Sequence, residues 1–111
     1  MGLDMFLFGE LPGGVQPAIE LGYWRKHPNL HGWFVQQYGG GVDECQKIPL
    51  TRKQLQETLA ASEEYRLPET DGFFFGQSMP EDKPATAKIL TSAICWLRNR
   101  PKAKVYYQAS W

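Results

Sequence analysis

Neither sign of charge dominates this chain, cysteine is scarce, and no long apolar run occurs. Twelve Lys and Arg balance twelve Asp and Glu among 111 residues, for a formal net charge of zero. That balance removes the field on which general nucleic-acid binding depends, so only a local basic patch stays open. The two cysteines, Cys45 and Cys95, lie outside any CxxC or Cys/His spacing. They predict reduced thiols and a cytoplasmic protein rather than a disulfide scaffold. No apolar stretch approaches the ~20 residues of a membrane span, and Met1 to Gly9 carries Asp4 and no basic leader. The expectation is a soluble chain with no membrane partner. Also missing are a GxSxG elbow, a P-loop, an HExxH helix and a dinucleotide fingerprint.

What is present is enough for a core. Hydrophobic residues make up 42% of the chain and aromatics 14%, too many for disorder. At this length residues 1–111 read as one domain. Residues 2 to 8 alternate as a strand expected to be covered on both faces, and Ile19 to Gly22 is a short extended piece. Pro28 or Asn29 opens a helix with Leu30, Trp33, Phe34, Gln37 and Tyr38 on one face, and Gly39-Gly40-Gly41 stops it. Val42 to Leu50 holds a short strand in which Pro49 marks an edge or an end. Thr51 to Gln54 matches a capping box ahead of a second helix, with Leu55 and Leu59 inward. Gly72-Phe73-Phe74-Phe75-Gly76 reads as a buried strand. Asp82 caps a third helix striped by Ile89, Leu90, Ala93, Ile94 and Leu97, and Pro101 ends it. Val105, Tyr107, Ala109 and Trp111 alternate along a last strand. The pattern predicts an α+β domain, with an antiparallel or mixed sheet of about four strands packed with three helices.

The segment from Gly22 to His31 is the most loaded. Free amides at a helix start and the cations Arg25 and Lys26 suit an anion, and Tyr23 and Trp24 can stack on a base. Asn29 and His31 complete the candidate set, with Gln77, Ser78 and the terminal Trp111 nearby. Packing offers a plainer account of the same residues, with Tyr23 and Trp24 in the core and the cations solvated. His27, His31, Asp43, Glu44 and Cys45 invite comparison with a metal site, but Pro28 sets His27 outside the helical turn that an i, i+4 pair needs. No metal and no cofactor is expected. Cys45 has no evident activating partner and reads as a small buried thiol. Trp111 is expected to dock beside Ile94 and Leu97 or beside Trp33.

Several boxes together resemble a family of small proteins of tailed phages, prophages and bacterial genomes. They are Met1 to Met5, the GYWRK…LHGWFV stretch from Gly22 to Val35, GVDEC at Gly41 to Cys45, LPxTxGFFFG at Leu67 to Gly76, and YYQASW at Tyr106 to Trp111. The resemblance runs over nearly the whole chain. The Gly9 to Ala18 connection is shorter than in longer relatives. What the resemblance implies is a mobile-element setting and no particular reaction.

The first expectation is therefore a non-enzymatic binding protein, an accessory or anti-defence factor whose partner is an anionic, nucleotide-like small molecule or a host protein complex. The alternatives are a small enzyme acting on a nucleotide or phosphoester, with His31 as general acid/base oriented by Asp43 or Glu44, and a purely structural interaction module.

Overall fold

A computed structural model describes residues 2–72 and 76–111. The elements run β1 (Asp4–Glu10), β2 (Ile19–Arg25), α1 (Pro28–Tyr38), β3 (Ile48–Leu50), α2 (Arg52–Glu63), α3 (Asp82–Arg98) and β4 (Lys104–Ser110). The strands form one antiparallel sheet in the order β2-β1-β4-β3. The fold class is α+β. The strand expected at Gly72 to Gly76 centres on Phe73 to Phe75 and lies outside the described residues.

The sheet has one covered face. Leu3, Met5 and Leu7 are fully buried, together with Trp24, Val105, Tyr107 and Ala109. Phe34 of α1 stacks on Tyr107 with ring centroids 4.4 Å apart. On the same side α3 lies so close to β2 that a Cβ on Gly22 would collide with Ile89. A Cβ on Gly9 would stand 2.7 Å from the Trp96 ring. The opposite face carries Phe6 and Phe8, which are half-buried. The expectation that β1 is covered on both sides is thus corrected, because the helices pack on one side only. The strand at residue 19 also runs on to Arg25. A bulge between Leu7 and Phe8 absorbs Leu21 and resets the register from Gly22 to Arg25.

Local chemistry accounts for the helices. Pro28 occupies the first turn of α1, where a missing N–H costs nothing. The helix ends where the amides of Gly39 and Gly41 both bond Val35 O, at 3.1 and 2.9 Å. Gly40 and Gly41 follow at φ +67° and +78°, values that suit glycine. In α2, Thr51 Oγ1 accepts from Gln54 N at 3.1 Å, and Gln54 Oε1 accepts from Thr51 N at 2.9 Å. Asp82 is the first residue of α3 rather than its cap, and its carboxylate reaches back to Met79 N at 2.7 Å. Pro49 sits in the edge strand β3, where its missing donor breaks no ladder.

Two buried indoles tie the helices together. Trp24 Nε1 donates to Thr86 Oγ1 of α3 at 2.9 Å, and Trp33 Nε1 donates to Thr58 Oγ1 of α2 at 2.9 Å. Thr58 passes its own proton to Gln54 O at 2.8 Å, so the chain of donors ends on a helix carbonyl.

The close approach of α3 to β2 is testable. Gly22→Ala drives a methyl into Ile89 and is expected to cost about 1–3 kcal/mol in urea unfolding. With Ile89→Ala in the same chain, the combined loss should be clearly smaller than the sum of the two single losses. Additive losses would show that the two positions do not meet.

Candidate functional site

The loaded segment from Gly22 to His31 does not form one site. Strand geometry sends Tyr23 and Arg25 to one face of the sheet and Trp24 to the other. Tyr23 Oη donates to Asp4 at 2.6 Å, and Arg25 Nη1 pairs with the same carboxylate at 2.8 Å. These contacts, the Tyr23 hydrogen bond first, hold Asp4 below the usual carboxylate range. Trp24 is consumed by the core, where its indole N–H is already spent on Thr86. Lys26 turns the chain in the left-handed region at φ +57° and packs its stem against Gly76. From there His27 and Asn29 face one way, and His31 faces into the body of the protein.

His31 is 2% exposed and bonded at both ring nitrogens. Nδ1 lies 2.6 Å from Tyr107 Oη, and Nε2 lies 2.9 Å from Asp43 Oδ1. Burial pushes the Tyr107 hydroxyl well above its usual value, so it stays protonated and donates to Nδ1. Nε2 then carries the proton and donates to Asp43. Asp43 thus orients His31, whose imidazole is buried. Glu44 is exposed, and its amide bonds Gln46 Oε1 at 2.8 Å. The Trp111 ring meets His31 edge-on at 5.7 Å and is 37% exposed.

The polar residues that do converge surround the start of α1. Ser78, far along the chain, supplies the cap that His27 does not: its Oγ accepts from Asn29 N at 3.1 Å and lies 2.7 Å from His27 Nδ1. Asn29 Oδ1 accepts from Thr70 N at 3.0 Å. Few of the helix-start amides that sequence reasoning offered to an anion remain: Pro28 has none, Asn29 gives its own to Ser78, and His31 N bonds His27 O at 3.2 Å.

Beside this cluster opens a cleft of about 340 Å³. His27, Asn29, Ser62 and Ser78 make its polar side, Tyr65, Leu67, Met79 and Pro80 its apolar side, and Lys83 stands at its edge. His27 is 4% exposed, and its Nε2 makes no hydrogen bond to the described residues. Among the described residues no buried side-chain nitrogen or oxygen is left unsatisfied, so Nε2, which has no bond there, keeps solvent access, and His27 lines the cleft. Where Ser78 Oγ donates to His27 Nδ1, Nε2 carries the ring proton and is a donor; where Nδ1 donates to Ser78, Nε2 is an acceptor. Lys83 Nζ lies 4.0 Å from the centre of the Tyr65 ring and 3.9 Å from Glu63. Its bond to Tyr65 holds the ammonium above its usual value, so the group is charged. A second hollow, about 430 Å³, lies across Asn29 and Ser78 and includes Gln77, but Glu69 and Asp71 line it and oppose an anion.

Sequence reasoning named Asn29, Gln77 and Ser78 here but missed Lys83 and Tyr65, and took His27 only as a metal candidate. One signal was available. A lysine in the first turn of a helix opposes the macrodipole, which marks Lys83 as placed for something other than helix stability.

The geometry also limits what the site can do. A Ser-His-Asp relay needs the serine and the aspartate on opposite ring nitrogens. Here Ser78 Oγ and Asp82 Oδ2, at 2.7 and 3.8 Å, both face Nδ1 of His27. Among the described residues no three His, Cys, Asp or Glu side chains gather as a metal-holding group, and no helix is long and apolar enough to cross a membrane. No family model, curated protein or solved structure matches the chain.

Burial holds both imidazoles below the ordinary histidine value of 6.5, against the opposing pull of Asp82 on His27 and of Asp43 on His31. The unfolded chain therefore takes up these protons at higher pH than the folded one. Their stabilising contribution is complete above pH 6.5 and is lost as the pH falls from there toward the folded values. The melting temperature should decline from about pH 6.5 downward, and His27→Gln with His31→Gln should make that decline shallower. A melting temperature that rises on acidification would contradict the assignment.

Proposed function

We propose that this is a non-enzymatic binding protein that holds a small anionic, nucleotide-like ligand in the cleft beside α1. The observation that carries the reading is the pairing of two polar groups at one opening: His27 Nε2, which makes no hydrogen bond to the described residues and keeps solvent access, and the charged Lys83 ammonium. Opposite them, Tyr65, Leu67, Met79 and Pro80 give an apolar wall for a ring. A cleft of 340 Å³ falls at the lower end of small-molecule sites, which range over about 300–1,000 Å³. Both groups lie within one opening, so a phosphate or carboxylate can take both where Nε2 carries the ring proton, while a flat base lies on Tyr65.

The absence of a serine and an acid on opposite sides of either histidine favours binding over turnover. In the mobile-element setting that the sequence resemblance implies, such a protein acts as an accessory or anti-defence factor by sequestering its ligand.

Adenosine monophosphate is a suitable probe. Titrated into labelled protein, it should shift the amide signals of Asn29, Ser78 and Met79 before any others. Lys83→Met should weaken that binding by about tenfold or more, the worth of one charge-assisted hydrogen bond. Native mass spectrometry of protein taken from its host should show a bound companion. No shift at millimolar nucleotide, together with a bare protein mass, would sink the reading.

A further inference from the structure

The sheet face turned away from the helices carries four aromatic rings in one continuous chain. Tyr23 meets Phe6 at 5.2 Å, Phe6 stacks on Phe8 at 5.5 Å, and Phe8 meets Tyr106 at 5.4 Å. Phe6 and Phe8 remain half-exposed and Tyr23 is 43% exposed. None of these residues lines the α1 cleft. Aromatic chains on an uncovered sheet are platforms for stacking, either on bases or on other side chains.

Charge decides between these occupants. Asp4, Glu10 and Glu20 stand on or beside this face, and so do Arg25, Lys47 and Lys104, three of each sign. A polyanion gains nothing from such a surface. Arg25 is already paired with Asp4, whereas Glu10, Glu20, Lys47 and Lys104 form no ion pair with the described residues.

These four charges are arranged symmetrically about the line between β1 and β4. Glu20 lies beside Phe8 on the β2 side, and Lys47 lies 4.8 Å over the ring of Tyr106, the residue opposite Phe8 in β4. Glu10 and Lys104 face each other across the same line. A two-fold axis along the strands, set in front of the sheet, exchanges left for right. It lays Glu20 of one copy on Lys47 of the other and Glu10 on Lys104, each of them twice, and brings the Phe8 rings of the two copies to the same apolar patch, where Tyr106, 9% exposed, lies beneath Lys47. We infer that this face is the interface of a symmetric homodimer, two sheets packed face to face in aligned fashion.

The interface is small. Seven-residue strands and four strand positions span about 24 by 19 Å, some 450 Å² of footprint. That is below the ~800 Å² per partner of stable complexes, so the dimer is weak and forms with rising concentration.

Sedimentation equilibrium of the intact protein over about 10 µM to 1 mM tests this directly. The weight-average mass should climb from 12.7 kDa toward twice that value. Glu20→Lys should weaken association about tenfold, and Glu20→Lys with Lys47→Glu should restore it. Phe8→Ser should keep the protein monomeric with its circular dichroism spectrum unchanged. A monomer throughout the range overturns the proposal. So does a dimer indifferent to Phe8→Ser and Glu20→Lys, which would lie elsewhere on the surface. Salt-sensitive binding of a labelled oligothymidine, competing with the dimer, would assign the face to single-stranded nucleic acid instead.

Discussion

The arrangement of helices on one face of the sheet is the constraint from which the other features follow. With α1 and α3 both on that face, β2 must lie almost against α3, and glycine at Gly22 and Gly9 is what allows it. The large rings that fill the covered side include Trp24, so an indole N–H is buried and needs an acceptor. Thr86 of α3 is the answer, and Thr58 of α2 answers Trp33 in the same way. Each unmet donor would cost about 1–3 kcal/mol, so these bonds fix where the helices sit as well as how strongly they hold. The uncovered side is the other consequence. Phe6, Phe8, Tyr23 and Tyr106 have no helix above them and pack on one another instead.

The same logic runs through the polar part of the core. A neutral imidazole needs an acceptor for one nitrogen and a donor for the other, and His31 finds Asp43 and Tyr107. Three segments meet there: α1, the connection that follows its glycine stop, and β4. The stack continues through Tyr107 to Phe34 and through His31 to Trp111, so the C-terminal residue is joined to the core by rings. A histidine so fully used holds structure together; the free edge belongs to His27.

How much of this was legible in the sequence depends on the range of the forces involved. The capping box at Thr51 and Gln54, the glycine stop after Tyr38 and the stripe from Ile89 to Leu97 are set within one or two helical turns, and the residue types announce them. The α+β class followed from these elements. The end of β2 was hidden because a bulge at Leu21 breaks its alternation and Gly22 offers no side chain to count. That error mattered for the site. Read as one loop, Gly22 to His31 gathers its polar groups; as strand, left-handed Lys26 and helix, it scatters them to three sides of the molecule. Of that segment only His27 and Asn29 line the cleft. The partners that build it, Ser78, Lys83 and Tyr65, lie from 36 to 54 residues away in sequence, beyond any local pattern.

That distance has an energetic consequence. The cleft's walls come from the start of α1, the end of α2 and the approach to α3. They are joined by the bonds of Ser78 to Asn29 and His27 and by that of Asp82 to Met79. Whatever settles between His27 and Lys83 would therefore bridge the start of α1 and the start of α3. A ligand that binds only the assembled arrangement stabilises it by mass action, about 2.7 kcal/mol at one hundred times its dissociation constant. The sheet face differs in what sets its occupancy: a dimer stabilises the fold by the same mass action, but in proportion to the protein's own concentration. Occupancy of the cleft would raise the melting temperature with ligand concentration and the dimer would raise it with protein concentration, and this separates the two events when both occur in one solution.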